Sequence, residues 1–124
     1  MQRTMLKSKI HRARLTATEL HYEGSIGIDR LLMEAADILP GEQVHVLNVS
    51  SGSRIVTYAI ATLPGSGTIA LKGAAARSGQ VGDEVILLTY VQVDESEIRS
   101  FKRRVVHVGG RNRIAGGSKR RRRG

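Results

Sequence analysis

A mainly β fold, closed into a small barrel with one or two short helices, is what this sequence predicts. Three observations predict it: β-branched and apolar runs of strand length, glycine- and proline-containing turns between them, and a single persuasive amphipathic helix. Closure is favoured over a sandwich because short, tightly connected strands then leave no open edge. A chain of 124 residues is one domain.

Along the chain, Met1 to Arg14 alternates basic and apolar residues and lacks the unbroken apolar stretch of a signal peptide. A helix follows: Asp29 can cap it, Leu32, Ala35, Ala36 and Leu39 recur at helical spacing, and Pro40-Gly41 ends it. Arg54 to Ala61 is rich in β-branched residues, and Thr68 to Leu71 is a shorter strand candidate. Glu84 to Val93 is nearly continuous in apolar residues, the pattern of a strand buried on both faces. A second short helix starts at Asp94, with Glu97 in a capping-box position. Two segments also share a pattern of glycine, acid, any residue, valine, any residue, aliphatic and leucine: Gly41 to Leu47 and Gly82 to Leu88. This is either chance similarity of two turn-plus-strand units or the mark of a barrel built from two related halves.

The net charge of +9 belongs to one end of the chain. Up to Gly110 there are 13 basic and 11 acidic residues, whereas seven basic residues and no acid follow Val108. The expected division is therefore a β-barrel domain over 1–110 and a disordered basic tail over 111–124, able at most to attract nucleic acid nonspecifically. A small nucleic-acid-binding barrel is the rival reading, but the body has few aromatics for base stacking. There is no cysteine, which excludes disulfides and a thiolate metal site, and the four histidines have no metal-ligand spacing. No apolar run approaches the ~20 residues of a membrane span, so a soluble, cytoplasmic protein is expected.

Four Gly-Ser pairs occur, and only Gly24-Ser25 follows ionisable and hydroxyl groups, in His21-Tyr22-Glu23-Gly24-Ser25-Ile26. A Ser-His-Asp hydrolase lacks its G-x-S-x-G elbow here, and Gly65-Ser66-Gly67 lacks the lysine of a phosphate loop.

Over about Met1 to Asn112 the chain resembles the pyruvoyl-dependent aspartate 1-decarboxylases. The likeness rests on Thr4 to Arg12, Leu20 to Ile26, Ala35 to Pro40, Gly52-Ser53-Arg54 with Thr57-Tyr58, Gly73 to Arg77 and Val81-Gly82-Asp83. It implies a double-psi β-barrel, a homotetramer with active sites between subunits, and no metal. It also implies a zymogen that cuts itself autocatalytically between Gly24 and Ser25, leaving Ser25 as a covalent pyruvoyl group. Glycine suits position 24 because it lacks a Cβ and tolerates strained backbone angles. The pyruvoyl ketone would form a Schiff base with L-aspartate and yield β-alanine and carbon dioxide for pantothenate and coenzyme A synthesis.

By the same resemblance, Thr57 assists cleavage and lies by the substrate. Lys9, His11 and Arg54 surround the substrate, with Arg54 gripping a carboxylate, and Tyr58 returns a proton to the product. Tyr22 and the backbone of Gly73, Ala74 and Ala75 line the pocket. The bland alternatives are a solvated strand charge for Lys9 and Arg54 and a core tyrosine for Tyr58. Two positions depart from the pattern. Lys72 stands where the family commonly has asparagine at the processing site, which implies slower maturation or a member that never matures. Leu47 stands where some members carry an aromatic ring.

Overall fold

The computed structural model describes residues 1–115. Eight strands run in the order β1 (Gln2–Arg14), β2 (Ala17–Glu19), β3 (Ser25–Asp29), β4 (Gln43–Asn48), β5 (Arg54–Thr62), β6 (Ile69–Lys72), β7 (Glu84–Asp94) and β8 (Arg104–His107). One α-helix, α1 (Arg30–Ala36), and three 3-10 segments (Gly73–Ser78, Glu95–Ser100 and Gly110–Asn112) complete the described chain.

The sheet order is β2-β6-β3-β5-β4-β7-β1-β8, and it closes on itself. Only Leu15 and Thr16 separate β1 from β2. Their backbone N–H groups reach Asp83 O at 2.9 Å and Ile69 O at 2.8 Å, handing the chain from the β7 side to the β6 side of the ring. Closure satisfies backbone groups that an open edge would leave unpaired.

The internal repeat is expressed in the register. Val46 pairs with Leu87 across β4 and β7, and Ile28 pairs with Ile69 across β3 and β6. Each pair consists of residues 41 positions apart, the same offset that separates Gly41 from Gly82. Repeat-related residues that face each other across antiparallel strands lie on a two-fold axis, so two like halves interlock about it. In both halves a strand lies between one parallel and one antiparallel neighbour: β3 between β5 and β6, and β1 between β8 and β7. This is the double-psi β-barrel that the resemblance implies. Its interior is aliphatic, with Ile10, Ile26, Ile28, Leu32, Val44, Ile69 and Leu87 all essentially inaccessible.

Several local expectations are corrected. α1 is capped by Asp29, whose side chain accepts from Leu31 N, but it stops at Ala36 rather than at Pro40. Asp37 takes a left-handed conformation (φ 59°), which turns Ile38 into the core and leaves Leu39 exposed. The segment after Asp94 is a 3-10 turn in which Asp94 accepts from Ser96, not a capping-box helix through Glu97. β7 is buried on both faces only in its first half; Tyr90 and Gln92 face outward. The boundary at 111 also moves. Asn112 is buried and bonds to Arg14 N, Arg14 O and Gly67 O, each at 2.8 Å, so it belongs to the barrel rather than to a tail. Lys119 to Arg123, the basic cluster, lie outside the described residues. No described helix is long and apolar enough to cross a membrane.

Asp29 also ties the two halves together: besides Leu31 N it accepts from Gly65 N at 2.9 Å and Gly67 N at 2.8 Å. Burial alone would raise its pKa, but the three N–H donors and the nearby Arg113 outweigh that and hold the carboxyl below its ordinary range. A lowered folded-state pKa stabilises the fold above the unfolded-state value, about 3.9, and the contribution is lost as the pH falls through the folded value. Urea midpoints measured from pH 6 downward therefore fall at the acid end, and Asp29→Asn flattens that acid limb while lowering stability at pH 6.

Candidate functional site around Ser25

β3 begins at Ser25, and all five of its residues are buried. It is held by β5 in parallel, with Ile26 beside Ala59, and by β6 antiparallel, with Ser25 opposite Lys72. Ser25 is therefore a strand residue with 1% of its surface exposed, although the four residues before it are exposed. Its hydroxyl donates to Glu23 O at 3.3 Å. Carried back one residue, the β3–β5 register sets Ser25 level with Tyr58, and one further sets Gly24 level with Thr57.

Residue 24 is not where glycine is required. Gly24 has no positive φ, and a Cβ there would meet nothing within 4 Å. The strain expected at Gly24 is thus absent, and the constraint lies at Gly73. Gly73 opens the 3-10 segment with φ +65°, and a Cβ on it would lie 2.5 Å from Tyr22 O and 2.6 Å from Gly24 N. No side chain fits that gap, so the backbone of 73 lies directly against the backbone of 22–24.

Lys72 approaches the same loop from the side. Its ammonium lies 3.3 Å from Glu19 Oε1 and 4.1 Å from the centre of the Tyr22 ring, with only 13% of the side chain exposed. The ion pair is worth little, because Glu19 is half exposed. The cation–π contact adds about 0.5–1 kcal/mol. Together they orient the segment 19–22 against β6. Glu19 carries no motif that would have singled it out.

The remaining candidates lie on the outer face of β5-β4-β7-β1. The row Ile55, Val46, Leu87, Ile10 points into the core. Side chains alternate along strands, so the flanking positions point outward: Arg54, Val56 and Tyr58 on β5, His45 and Leu47 on β4, Leu88 and Tyr90 on β7, and Lys9 on β1. Lys9 is paired with Leu88 as Arg54 is with Leu47. Leu47 and Leu88 are repeat equivalents, so Lys9 and Arg54 are the matching cations of the two halves. Thr57, paired with the fully buried Val44, points inward. His11 sits at the irregularity in β1 beside His107, with ring centres 5.6 Å apart, and its buried Nδ1 has no partner. Burial, followed by Lys9, His107 and Arg12, lowers its pKa, so its neutral form is favoured.

The structure therefore gathers Tyr22, Ser25, Tyr58, Lys72 and Gly73 about one strand end, with Ala74 exposed and Ala75 buried just beyond. It does not bring Lys9 or His11 into contact with them within one chain. A hollow of about 890 Å3 adjoins the far end of the 3-10 segment, lined by Leu20, Ser51, Ser53, Ala76 and Arg77, but Ser25 does not line it. No group of three or more potential metal ligands occurs among the described residues.

Comparison with known proteins agrees in extent with this site. The family model described as "Aspartate decarboxylase" matches residues 1–115. The chain is 59% identical over 113 residues to a protein of Syntrophobacter fumaroxidans named "Aspartate 1-decarboxylase", covering 91% of each chain. It is 54% identical over 114 residues to the protein of that name from Mycolicibacterium smegmatis, covering 92% of this chain and 84% of the other. The corresponding protein of Thermoanaerobacter pseudethanolicus is 53% identical over 113 residues, covering 91% of this chain and 97% of the other.

Gly73→Ala must push the 22–24 loop away or abandon its own left-handed conformation. It is expected to cost about 2 kcal/mol or more in chemical unfolding, whereas Gly24→Ala costs less than about 1 kcal/mol.

Proposed function

The chain belongs to the aspartate decarboxylase family and removes a carboxyl group from aspartate, and we propose that it does so with a ketone made from its own Ser25. The observation that carries this reading is the seat of Ser25: a buried strand residue whose preceding loop is pressed by the Gly73 backbone.

The chain's own groups perform the maturation. Ser25 Oγ rotates from Glu23 O towards the carbonyl carbon of Gly24 and attacks it. The Gly24–Ser25 amide breaks, the nitrogen takes the proton, and an ester remains. Loss of the Ser25 α-proton with departure of the Gly24 carboxylate leaves dehydroalanine. Hydrolysis of that group releases ammonia and leaves the pyruvoyl end of the longer chain, 25–124, beside the shorter chain, 1–24. Thr57, level with Gly24 when the β3–β5 register is carried back two residues, would donate to the oxyanion that forms during the attack. Lys72, committed to Glu19 and Tyr22, holds the loop rather than replacing an asparagine amide, so the cut is expected to proceed slowly.

The residues present fit the pyruvoyl group, because the Gly73 gap leaves space only for backbone at its side and Ser25 is itself buried. When formed, the group supplies a ketone that engages the substrate amine and accepts the electron pair released with carbon dioxide. Arg54 presents a planar fork to a substrate carboxylate. Lys9 and His11 supply further donors, and the backbone around Gly73, Ala74 and Ala75 borders the substrate. The Tyr58 hydroxyl delivers a proton to the carbon that loses its carboxylate. Lys9, Arg54 and Tyr58 point outward beside apolar Leu47, Val56 and Leu88, which favours a site completed by a second copy of the chain in a homotetramer. The product, β-alanine, feeds pantothenate and coenzyme A synthesis.

Denaturing mass spectrometry over a warming time course tests maturation. Two polypeptides are expected, the longer lacking a free N-terminal amine; one unmodified chain at every time point removes the proposal. Ser25→Ala abolishes both the cut and turnover while the far-ultraviolet circular dichroism is retained. Tyr58→Phe leaves the cut intact and lowers kcat by about 10²-fold or more; unchanged kcat takes the proton-donor role from Tyr58.

A further inference from the structure

His45 belongs to no motif of the sequence and has no part in the reaction as described so far. It lies on the outer face of β4, opposite Val56 of β5 and Leu88 of β7. Its ring is held from three sides. Arg54 Nη2 lies 3.4 Å from Nδ1, the Gln43 side-chain amide lies 3.3 Å from Nε2, and the Tyr90 ring meets it edge-on at 5.0 Å. A guanidinium can only donate, so the contact with Arg54 requires an unprotonated Nδ1 and a proton on Nε2. As placed, the Gln43 amide nitrogen faces that Nε2, and the amide turned over, with its oxygen towards the ring, would accept the proton.

Arg54 forms no ion pair among the described residues, and His45 is its only side-chain partner there. A carboxylate in the place of His45 would orient the guanidinium but cancel its charge and compete with an incoming anion. A neutral imidazole orients it and leaves the charge and the remaining donors for a carboxylate from solution. The neighbouring acid, Glu42, is taken up by Lys7 at 2.6 Å.

We propose that His45 is the positioning residue for Arg54, holding its guanidinium in the direction from which the aspartate carboxylate arrives. This inference rests on the reading that Arg54 binds that carboxylate. The charged or titratable groups around the ring are Arg54 from β5, Tyr90 from β7, Glu42 at the start of its own strand and Lys9 of β1 beyond Leu88.

The test uses the full, matured chain and L-aspartate. His45→Ala is expected to raise KM about tenfold with kcat within a factor of about two. His45→Asn, whose Oδ1 can take the place of Nδ1, restores KM. Arg54→Ala serves as the reference and raises KM further. An unchanged KM in His45→Ala while Arg54→Ala is impaired overturns the positioning role alone, as does a KM in His45→Asn that stays as high as in His45→Ala. An unchanged KM in Arg54→Ala overturns the carboxylate-binding reading on which it stands.

Discussion

The insertion of β3 between one parallel and one antiparallel neighbour is the constraint from which the site follows. Every backbone group of a strand buried on both faces must find a partner, and β5 and β6 supply them from Ser25 onward. The pairing begins at Ser25 itself, so the chain changes there from an exposed loop to an inaccessible strand. A peptide bond at such a junction has one end fixed and the other shaped by whatever presses on the loop. Here that is the Gly73 backbone, against which Tyr22 and Gly24 lie too close for any side chain. The junction, rather than an unusual torsion at Gly24, makes this Gly-Ser pair unlike the other three.

The same two-fold plan that closes the barrel distributes its charges. Lys9 and Arg54 occupy matching places in the two halves, yet their surroundings differ: Arg54 has His45 beside it, whereas the place matching His45 on β7 holds Ile86. Five cations of the described residues pair with acids: Arg3 with Glu95, Lys7 with Glu42, Arg12 and Arg14 with Glu84, and Lys72 with Glu19. Arg54 instead lies against an imidazole, on the face where the substrate-binding candidates collect. Exposed ion pairs contribute little to stability, so the pattern concerns where charge remains available.

Much of the fold was legible from local chemistry. The Asp29 cap, the Gly41 and Gly82 turns and the aliphatic strands Arg54–Thr62 and Glu84–Asp94 depend on neighbours within a few residues, and they lie where the sequence indicated. β3 was not singled out: five residues with a glycine at the centre are too short for periodicity to reveal. The extent of α1 was misjudged because Leu39 continues the helical spacing, whereas burial of Ile38 through a left-handed Asp37 decides the end. Asn112 was assigned to the tail on composition, since nothing near it in sequence signals its contacts with Arg14 and Gly67. In the site, the identities of Ser25, Arg54 and Tyr58 came from ordered motifs, but His45 and Glu19 came only from contacts across strands.

By itself the sequence determined the kind of fold, the family pattern and the serine at issue, because turns, caps and ordered motifs are written in contiguous residues. Tertiary structure alone decided that Gly73 rather than Gly24 is the glycine the loop cannot lose. It also decided that Lys9 and Arg54 are counterparts and that a histidine stands beside the arginine. The physical reason is register: a shift of one residue in any strand pairing exchanges inward and outward faces. That register is set by closure of the whole barrel, which no short stretch of the chain contains.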